Sequence, residues 1–411
     1  MNKKSPVPRQ VIFSLLIVGF FFGSAELLLR LHDFKFYFNL PAAALGLPVL
    51  DMSKAMRRYN RTIIFDRDLF WRLRPNRVLQ VKEVHLKPAR INNYGFRGRD
   101  FQMEKPAGTY RIICLGDSVT FGWALEDEET YPVQLENQLR EKYPGCNIEV
   151  INLGTSGYSS FQGRQLFFLL GKKLQPDLVI LGFGQNDRIP AIFSDQEQFE
   201  KGFWNRSKLD LLLSQSQVYL LIKCGVILAK RAREGFKFSP EILAARVKRK
   251  VSPEEYQNNL AMIRRECGRS GCDLILLNND FPSLPVDPVT DTFLKNAREM
   301  NLHLPENWEE WDLLRINQEA AEKIQAPLLD LRGLFAESEL LIATGRLDSE
   351  LKEKYQQALG DQVKKYPLGY IMVDGGHPNQ WGNQIISEQL ARMIEPMNRF
   401  QKFRENCKTK P

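Results

Sequence analysis

The sequence has few of the residues that bind metals, and none of the patterns that hold structural zinc. Its 411 residues include only 4 histidines and 6 cysteines. No two cysteines form a CxxC pair, and no cysteine and histidine stand at the spacing of zinc ligands. Signatures of DNA- and RNA-binding modules are also missing. We therefore expect no metal and no nucleic-acid partner.

A complete dinucleotide-binding fingerprint is missing as well. Gly182-Phe183-Gly184-Gln185-Asn186 begins like one, but the third glycine is absent and no helix-packing glycine follows. We therefore expect no cofactor. Internal repeats and low-complexity tracts are absent too. With 43% hydrophobic residues, the chain can build a large core, which predicts one main domain with extensions.

Positive charge is concentrated in one part of the chain. The formal net charge is +8, and residues 201–270 alone hold fifteen Lys and Arg against six Asp and Glu. Such a local surplus fits an anionic partner such as a membrane surface. It also fits the solvated face of an inserted helical region, and the sequence leaves both interpretations open.

The N-terminus contains a long apolar run. Basic residues precede the uncharged run from Val11 to Ala25, and three leucines extend it beyond Glu26. About 20 apolar residues span a bilayer, and preceding basic residues favour a cytoplasmic N-terminus. We predict a cytoplasmic tail over residues 1–10, a transmembrane signal anchor over residues 11–30 and an extracytoplasmic remainder, periplasmic or extracellular. The small residues before Glu26 leave cleavage by a signal peptidase as the alternative.

The cysteines agree only weakly with export. Cys267 and Cys272 are close enough in sequence for a disulfide that closes a small loop. Cys114 lies within an apolar segment, which predicts a buried thiol.

Beyond residues 31–108, which we interpret as a stem and lead-in, apolar strands alternate with amphipathic helices. The predicted strands are 111–116, 148–154, 178–184, 274–278 and 327–331, and the helices between and before them are 132–142, 160–173, 253–269 and 316–324. This alternation predicts an α/β domain over residues 109–400, with a parallel sheet covered on both faces. Residues 189–250 interrupt it as a helical insertion. The apolar stretch 209–233 in that insertion either lies on the membrane interface or packs on its own domain.

A serine follows the first of these strands. Gly116-Asp117-Ser118 stands between a buried strand and a helix. A serine on such a turn faces the crevice at the carboxyl end of the sheet, near the amides of a helix N-terminus. Asp and Ser are also ordinary helix-capping residues, so this tripeptide alone does not distinguish a nucleophile from a cap.

Two further residues share the position of that serine in the repeating pattern. Gly154 lies 36 residues after Ser118, and Asn186 lies 32 residues after Gly154. Each interval suits one strand-helix-strand unit of about 30 residues, so all three should meet at one edge of the sheet. A glycine lets the backbone approach a bound oxygen, and an asparagine donates N–H groups. A developing oxyanion requires such donors.

One histidine is placed to act as a base. His377 stands just before a predicted helix that Asn379 caps, whereas the other three histidines lie beside the apolar run, in the lead-in or in a charged insertion. Histidine takes up and releases a proton near neutral pH. Asp374, three residues earlier, can hold the imidazole in the required tautomer. A hydrogen-bonded His-Pro turn is the alternative.

Together these blocks resemble those of the SGNH hydrolases, also called the GDSL esterase/lipase family. The matching blocks are, in order, Gly116-Asp117-Ser118, Asn152-Leu153-Gly154, Gly184-Gln185-Asn186-Asp187 and Asp374-Gly375-Gly376-His377-Pro378. The resemblance covers roughly residues 110–396 and implies a flavodoxin-like three-layer α/β/α fold. It implies Ser118 as nucleophile, His377 as base and Asp374 as its orienting residue. The Ser118 amide, Gly154 and Asn186 would form the oxyanion hole, and Asp117 would brace the turn.

The resemblance also implies a function. The lead-in segment Asn93-Tyr94-Gly95-Phe96-Arg97-Gly98 is similar to that of membrane-anchored bacterial members of the family. We expect a serine esterase that removes acetyl or another short acyl group from a carbohydrate at the cell envelope. Alternatives are an SGNH-type O-acyltransferase of polysaccharides, a lysophospholipase or thioesterase acting on a lipid ester, and a catalytically retired scaffold that binds glycans. The long segment between Asn186 and Asp374 leaves the substrate open.

Overall fold

The computed structural model describes residues 9–31, 62–66, 68–81, 86–191, 194–201, 208–213, 216–219, 221–222, 248–281, 312–343, 372 and 377–408. An N-terminal helix comes first, and the described part of the lead-in contains two small antiparallel pairs of strands. These elements are α1 (Arg9–Leu31), β1 (Ile63–Asp66), β2 (Phe70–Leu73), β3 (Arg77–Val81) and β4 (Leu86–Ile91).

The main domain alternates strands and helices. Its elements are β5 (Thr109–Gly116), α2 (Ser118–Phe121), α3 (Tyr131–Lys142), β6 (Asn147–Asn152), α4 (Ser160–Leu169), β7 (Leu178–Gly182), β8 (Pro190–Ala191), α5 (Asp195–Lys201), α6 (Lys208–Leu213), β9 (Lys248–Arg249), α7 (Pro253–Ser270), β10 (Asp273–Asn278), α8 (Leu313–Ile324), β11 (Leu328–Asp330), α9 (Leu331–Ala343), α10 (Gln380–Ile394) and α11 (Asn398–Lys408). The five strands and four helices of the predicted alternating pattern are present, with ends shifted by a few residues.

Five strands form one sheet in which every pair is parallel. Their spatial order is β6-β5-β7-β10-β11. Numbered along the chain, this order is 2-1-3-4-5, which is the flavodoxin-like arrangement. In such sheets the ligand crevice lies outside the carboxyl ends of the strands, where the order reverses. Here that place lies between β5 and β7.

Apolar helices cover both faces of the sheet. On one face, α4, α7 and α8 pack on alternate residues of the strands, such as Ile113 and Val179. On the other face, α3, α10 and α11 pack on residues such as Ile112 and Ile180. All four of these side chains are fully buried. Burial of each contributes roughly 1.5–3 kcal/mol, so the central strands form the core that fixes the strand ends. The predicted parallel sheet covered on both faces is confirmed.

The disulfide expectation is wrong. Cys267 and Cys272 are buried free thiols, whereas Cys146 is bonded to Cys407, with a Cα–Cα distance of 5.4 Å. The last turn of α7 and the start of β10 place Cys267 and Cys272 in the apolar core beneath the sheet. The bonded pair fastens the C-terminal helix to the start of β6 across 261 residues of sequence. Cys114 is a buried thiol, as predicted.

The N-terminal helix α1 has 23 residues, and its most apolar 18-residue window has a mean hydropathy of 2.2. Among the residues described, it is the one helix long and apolar enough to cross a membrane, and a signal sequence would have the same properties. Glu26 accepts hydrogen bonds from Ser216 Oγ at 2.8 Å and from the amides of Gln217 and Val218 at 3.1 and 3.0 Å. The end of α1 therefore contacts the helical insertion.

The predicted apolar stretch 209–233 is described only in part. Leu209 and Leu212 on α6 are exposed by 63% and 69%, so this short helix presents apolar side chains to its surroundings. The rest of that stretch lies largely outside the described residues. Whether it lies on a membrane or packs on its own domain stays a prediction.

Candidate active site

The turn that carries Ser118 is fixed by local hydrogen bonds. Asp117 caps α2 by accepting the Val119 N–H at 2.9 Å, and Ser118 follows as the first residue of that helix. Ser118 is half-buried, while its neighbours on both sides are buried. The strand end and the cap thus present this one side chain to the crevice between β5 and β7.

The predicted base lies next to the predicted nucleophile at this crevice. His377 Nε2 lies 2.9 Å from Ser118 Oγ, although 259 residues separate them in sequence. The histidine is held just before α10, where the Asn379 side chain caps the amides of Trp381 and Gly382 at 3.0 Å. A nucleophile and its base require a heavy-atom distance of about 2.6–3.2 Å. The pair therefore has the geometry in which an imidazole takes a proton from a serine hydroxyl.

The predicted third member of the triad is Asp374. It lies outside the described residues, as do the two glycines that follow it. Its role as the residue that orients His377 stays a prediction.

Asp117 stabilises the turn that carries Ser118 through buried hydrogen bonds. Its carboxylate is buried and accepts hydrogen bonds from the Val119 amide and from Asn279 Nδ2, the latter at 3.1 Å. Burial raises the pKa of Asp117 to about 6, while these hydrogen bonds and the nearby His377 act to lower it. This agrees with the expected bracing role. Sequence reasoning missed Asn279, although it directly follows β10 at the same edge of the sheet.

Gly154 contacts the nucleophile turn at close range. A Cβ at this position would lie 2.6 Å from the carbonyl carbon of Thr120, so any larger residue would push the two loops apart. The Gly154 amide donates to Asn152 Oδ1 at 2.9 Å, and Asn152 Nδ2 donates to the Thr120 carbonyl at 2.9 Å. Gly154 thus lies beside the Ser118 turn, with its amide directed at Asn152. Its place in an oxyanion hole stays a prediction.

Asn186 is half-buried and fixed by one hydrogen bond from its side chain. Its Nδ2 donates to the Tyr158 carbonyl at 3.0 Å, which ties the end of β7 to the loop after β6. An amide nitrogen carries two N–H groups, and this bond occupies one. The expected role as an oxyanion donor is compatible with this geometry and stays a prediction.

Aromatic residues that sequence reasoning did not assign to the site lie beside it. The Trp123 ring lies 5.9 Å from the His377 ring, inclined by 34°. Trp71 of β2 packs edge-on against Tyr158 at 4.8 Å, and the Tyr158 hydroxyl donates to the Trp71 carbonyl at 2.6 Å. The lead-in therefore contacts the loop after β6, whose Tyr158 carbonyl accepts the hydrogen bond from Asn186. Its sequence gave no signal of this contact, because the partners lie far apart in the chain.

Within the described ranges, no three or more His, Cys, Asp or Glu residues are grouped so that they could hold a metal ion. The expectation that the chain uses neither metal nor cofactor stays a prediction.

Several solved structures are similar to the chain. Axe2, an acetylxylan esterase from Geobacillus stearothermophilus, is 17% identical, with 72% of this chain and 98% of Axe2 covered and a TM-score of 0.37. TesA is 15% identical, with 70% and 98% covered and a TM-score of 0.35. The lipase/acylhydrolase from Enterococcus faecalis is 14% identical, with 69% and 95% covered and a TM-score of 0.35.

No curated protein is significantly similar to the chain in sequence. A family profile does match it: that of the GDSL-like lipase/acylhydrolase family, over residues 114–385, which is more than half of the chain. The matched range includes the Ser118 turn, the ends of β6 and β7, and His377. The chain therefore belongs to the GDSL-like lipase/acylhydrolase family.

Proposed function

We propose that this protein is a serine esterase that removes acetyl or another short acyl group from a carbohydrate at the cell envelope. The observation that carries the proposal is the 2.9 Å distance between His377 Nε2 and Ser118 Oγ at the carboxyl edge of the sheet. The ester-hydrolysing class follows from membership of the GDSL-like family. The carbohydrate ester is our sequence-based expectation, and a direct assay has to test it.

The proposed reaction uses this chain's own groups at each step. His377 Nε2 accepts the proton of Ser118 Oγ as that oxygen attacks the ester carbonyl carbon, and the carbonyl oxygen becomes an oxyanion. When the ester bond breaks, His377 returns the proton to the departing alcohol. His377 then removes a proton from water as the water oxygen attacks the acyl carbonyl carbon. It returns that proton to Ser118 Oγ when the bond between Ser118 and the acyl group breaks, which releases the acid and free Ser118.

The oxyanion would be stabilised by N–H donors at the strand ends. We assign these donors to the Ser118 amide, Gly154 and Asn186, each of which is worth roughly 3–4 kcal/mol in such sites. Asp374 would accept the other imidazole N–H and fix its tautomer. Because the Gly154 amide currently bonds Asn152, its use as a donor requires that bond to be shared or exchanged when substrate binds.

A fluorophosphonate probe tests the nucleophile in the full-length protein. We expect labelling of the wild type and none of Ser118→Ala. Ser160→Ala is the matched control, since Ser160 also begins a helix in the same domain but is buried. Labelling that survives Ser118→Ala, or is absent from the wild type, would contradict the assignment and favour the retired scaffold.

Product analysis distinguishes hydrolysis from transfer. The protein is incubated with a chromogenic acetate ester, with and without candidate glycans, and free acetate and acetylated glycan are both measured. An esterase releases acetate in either case. Acetylated glycan with little free acetate would favour the acyltransferase, in which a sugar hydroxyl replaces water. Faster turnover of lysophospholipids or thioesters than of acetylated glycans would favour the lipid-directed alternatives.

We further propose that residues 11–30 anchor the protein and that the catalytic domain is extracytoplasmic. The length and hydropathy of α1 support the anchor, as do the basic residues before its apolar run. The Cys146–Cys407 disulfide supports an oxidising compartment. Cell fractionation and N-terminal sequencing test this. A soluble protein that starts at Glu26 would contradict the anchor and support a cleaved signal.

A further inference from the structure

Arg97, in the lead-in, has a buried charge next to the active site. It is 2% exposed, and its guanidinium donates hydrogen bonds to acceptors in one short loop, residues 121–127. Its Nε donates to Asp127 Oδ1 at 2.7 Å, and its terminal nitrogens donate to the carbonyls of Phe121, Gly122 and Leu125. Burying a charge is unfavourable unless hydrogen-bonding partners of this kind compensate it. The position of the guanidinium is therefore set by these acceptors.

The loop that Arg97 holds contains a strained residue. Ala124 has φ +64°, in the left-handed region that a side chain disfavours. Such a conformation persists only where the surrounding structure fixes it. Arg97 bonds the carbonyls of Gly122 and Leu125, which lie on the two sides of Ala124. The guanidinium is therefore placed to hold this turn.

The same loop contacts both members of the proposed catalytic pair. The amides of Gly122 and Trp123 each donate to the Ser118 carbonyl at 3.0 Å. The Trp123 ring packs near the His377 ring at 5.9 Å. A displacement of the loop would therefore act on the nucleophile through its backbone and on the base through its ring.

We propose that Arg97 is a positioning residue: by holding Ala124 in its left-handed conformation, it keeps Trp123 against His377 and Ser118 in reach of the imidazole. This inference rests on the proposed esterase function. Within the described part of the chain, the hydrogen bonds of Arg97 go to Asp127 and to backbone carbonyls of the segment 121–125, and none goes to Ser118 or His377. The lead-in then helps to set the geometry of the active site, in addition to connecting the proposed anchor to the domain.

The first test compares Arg97→Met with Arg99→Met in the full-length protein. Arg99 is an exposed arginine two residues further on, paired with Glu136 at 2.7 Å, and it serves as the matched control. Because misplacement of about 1 Å can cost a factor of 10² in rate, we expect Arg97→Met to lower kcat on a chromogenic acetate ester by about that factor. KM should stay within about twofold, and Arg99→Met should match the wild type in both constants.

A second variant separates positioning from a general loss of structure. Glycine adopts positive φ readily, so the turn needs less support when Ala124 is replaced. We expect Arg97→Met/Ala124→Gly to recover about tenfold in kcat over Arg97→Met. If Arg97→Met does not fold, the same comparison is made with Arg97→Lys, which keeps the charge but lacks the planar fork that bonds several acceptors. Recovery of the melting temperature without recovery of kcat would overturn the proposal.

The outcomes distinguish this inference from the proposed function. A wild type that neither hydrolyses the ester nor reacts with fluorophosphonate would contradict the esterase itself. A wild type that reacts, together with equal kcat and equal labelling rates in folded Arg97→Met, would contradict only the role of Arg97.

Discussion

Two serines begin helices at the carboxyl edge of the sheet, and their surroundings differ. Ser118 begins α2 after β5, is half-buried and has an imidazole nitrogen 2.9 Å from its hydroxyl. Ser160 begins α4 after β6 and is buried. Its hydroxyl donates to the Asp187 carboxylate and accepts a hydrogen bond from Asn259 Nδ2 at 2.9 Å. The residue type and the helix position are the same, while the partner and the exposure are not.

Neighbouring residues of one sequence block can have different roles, one in the proposed chemistry and another in holding the fold together. Asp187 belongs to the Gly184-Gln185-Asn186-Asp187 block, yet it accepts both the amide and the hydroxyl of Ser160. It therefore links the end of β7 to the start of α4. Burial raises the pKa of Asp187 to about 7, with Ser160 acting to lower it and the neighbouring Asp195 to raise it. A serine enclosed in this way has a structural role at the start of its helix, whereas Ser118 faces the crevice.

The largest expected effect is the difference in activity between the Ser118→Ala and Ser160→Ala variants. Ser118→Ala should lower kcat on an acetate ester by at least about 10⁴-fold, because the attacking oxygen is lost. Its melting temperature should match that of the wild type, since Ser118 is a half-exposed helix end. Ser160→Ala should keep kcat within about threefold. Comparable losses in both variants would mean that the turn after β6 takes part in the chemistry.

The next effect concerns the donor proposed from the same block as Asp187. Asn186→Ala should lower kcat by about 10²–10³-fold, because one oxyanion donor is removed. KM should change little, since the interaction forms mainly in the transition state.

Asn186 also bonds the Tyr158 carbonyl, so the unfolding midpoint has to be measured alongside the rate. A loss of kcat smaller than tenfold would mean that Asn186 only holds the loop in place, as Asp187 does through Ser160. It would also leave the Ser118 amide and Gly154 as the proposed donors.

Sequence patterns predicted the elements that local rules control. Apolar runs gave the strands, and the spacing of Ser118, Gly154 and Asn186 placed them at one edge. His377 was identified by its position before a capped helix, and its Nε2 lies 2.9 Å from Ser118 Oγ, while its role as the base stays a prediction. Arg97, Asn279 and the Cys146–Cys407 disulfide were not predicted. Their partners are backbone carbonyls or residues distant in sequence, and no periodicity or local motif encodes such contacts.

The third prediction uses pH to test the buried carboxylate. With its pKa raised to about 7 from an ordinary 3.8, Asp187 stays protonated in the native state over a pH range where the unfolded chain has released the proton. The free energy of unfolding should therefore fall as pH rises from about 4 to 7, by at most about 1.4 kcal/mol per pH unit from this residue. Asp187→Asn should flatten this part of the curve.

Denaturant unfolding of the solubilised full-length chain at several pH values measures that slope. Asp100→Asn is the control, since Asp100 has a side chain that is 51% exposed. We expect its curve to follow the wild type. An Asp187→Asn curve as steep as the wild-type curve would show that the burial of this carboxylate is not linked to stability.

The smallest expected effect returns to Ser160 itself, with stability as the readout. Ser160→Ala removes the hydroxyl donor to Asp187 and leaves the amide of residue 160 as the remaining donor from that position. A hydrogen bond to a neutral partner is worth about 1 kcal/mol and one to a charged partner about 1.5–3 kcal/mol. The loss in unfolding free energy should therefore be about 1 kcal/mol at pH 5, where Asp187 is protonated, and about 2 kcal/mol at pH 8, where it is ionised. An equal loss at both pH values would mean that the hydroxyl does not sense the charge of Asp187, and the contrast with Ser118 would then rest on exposure alone.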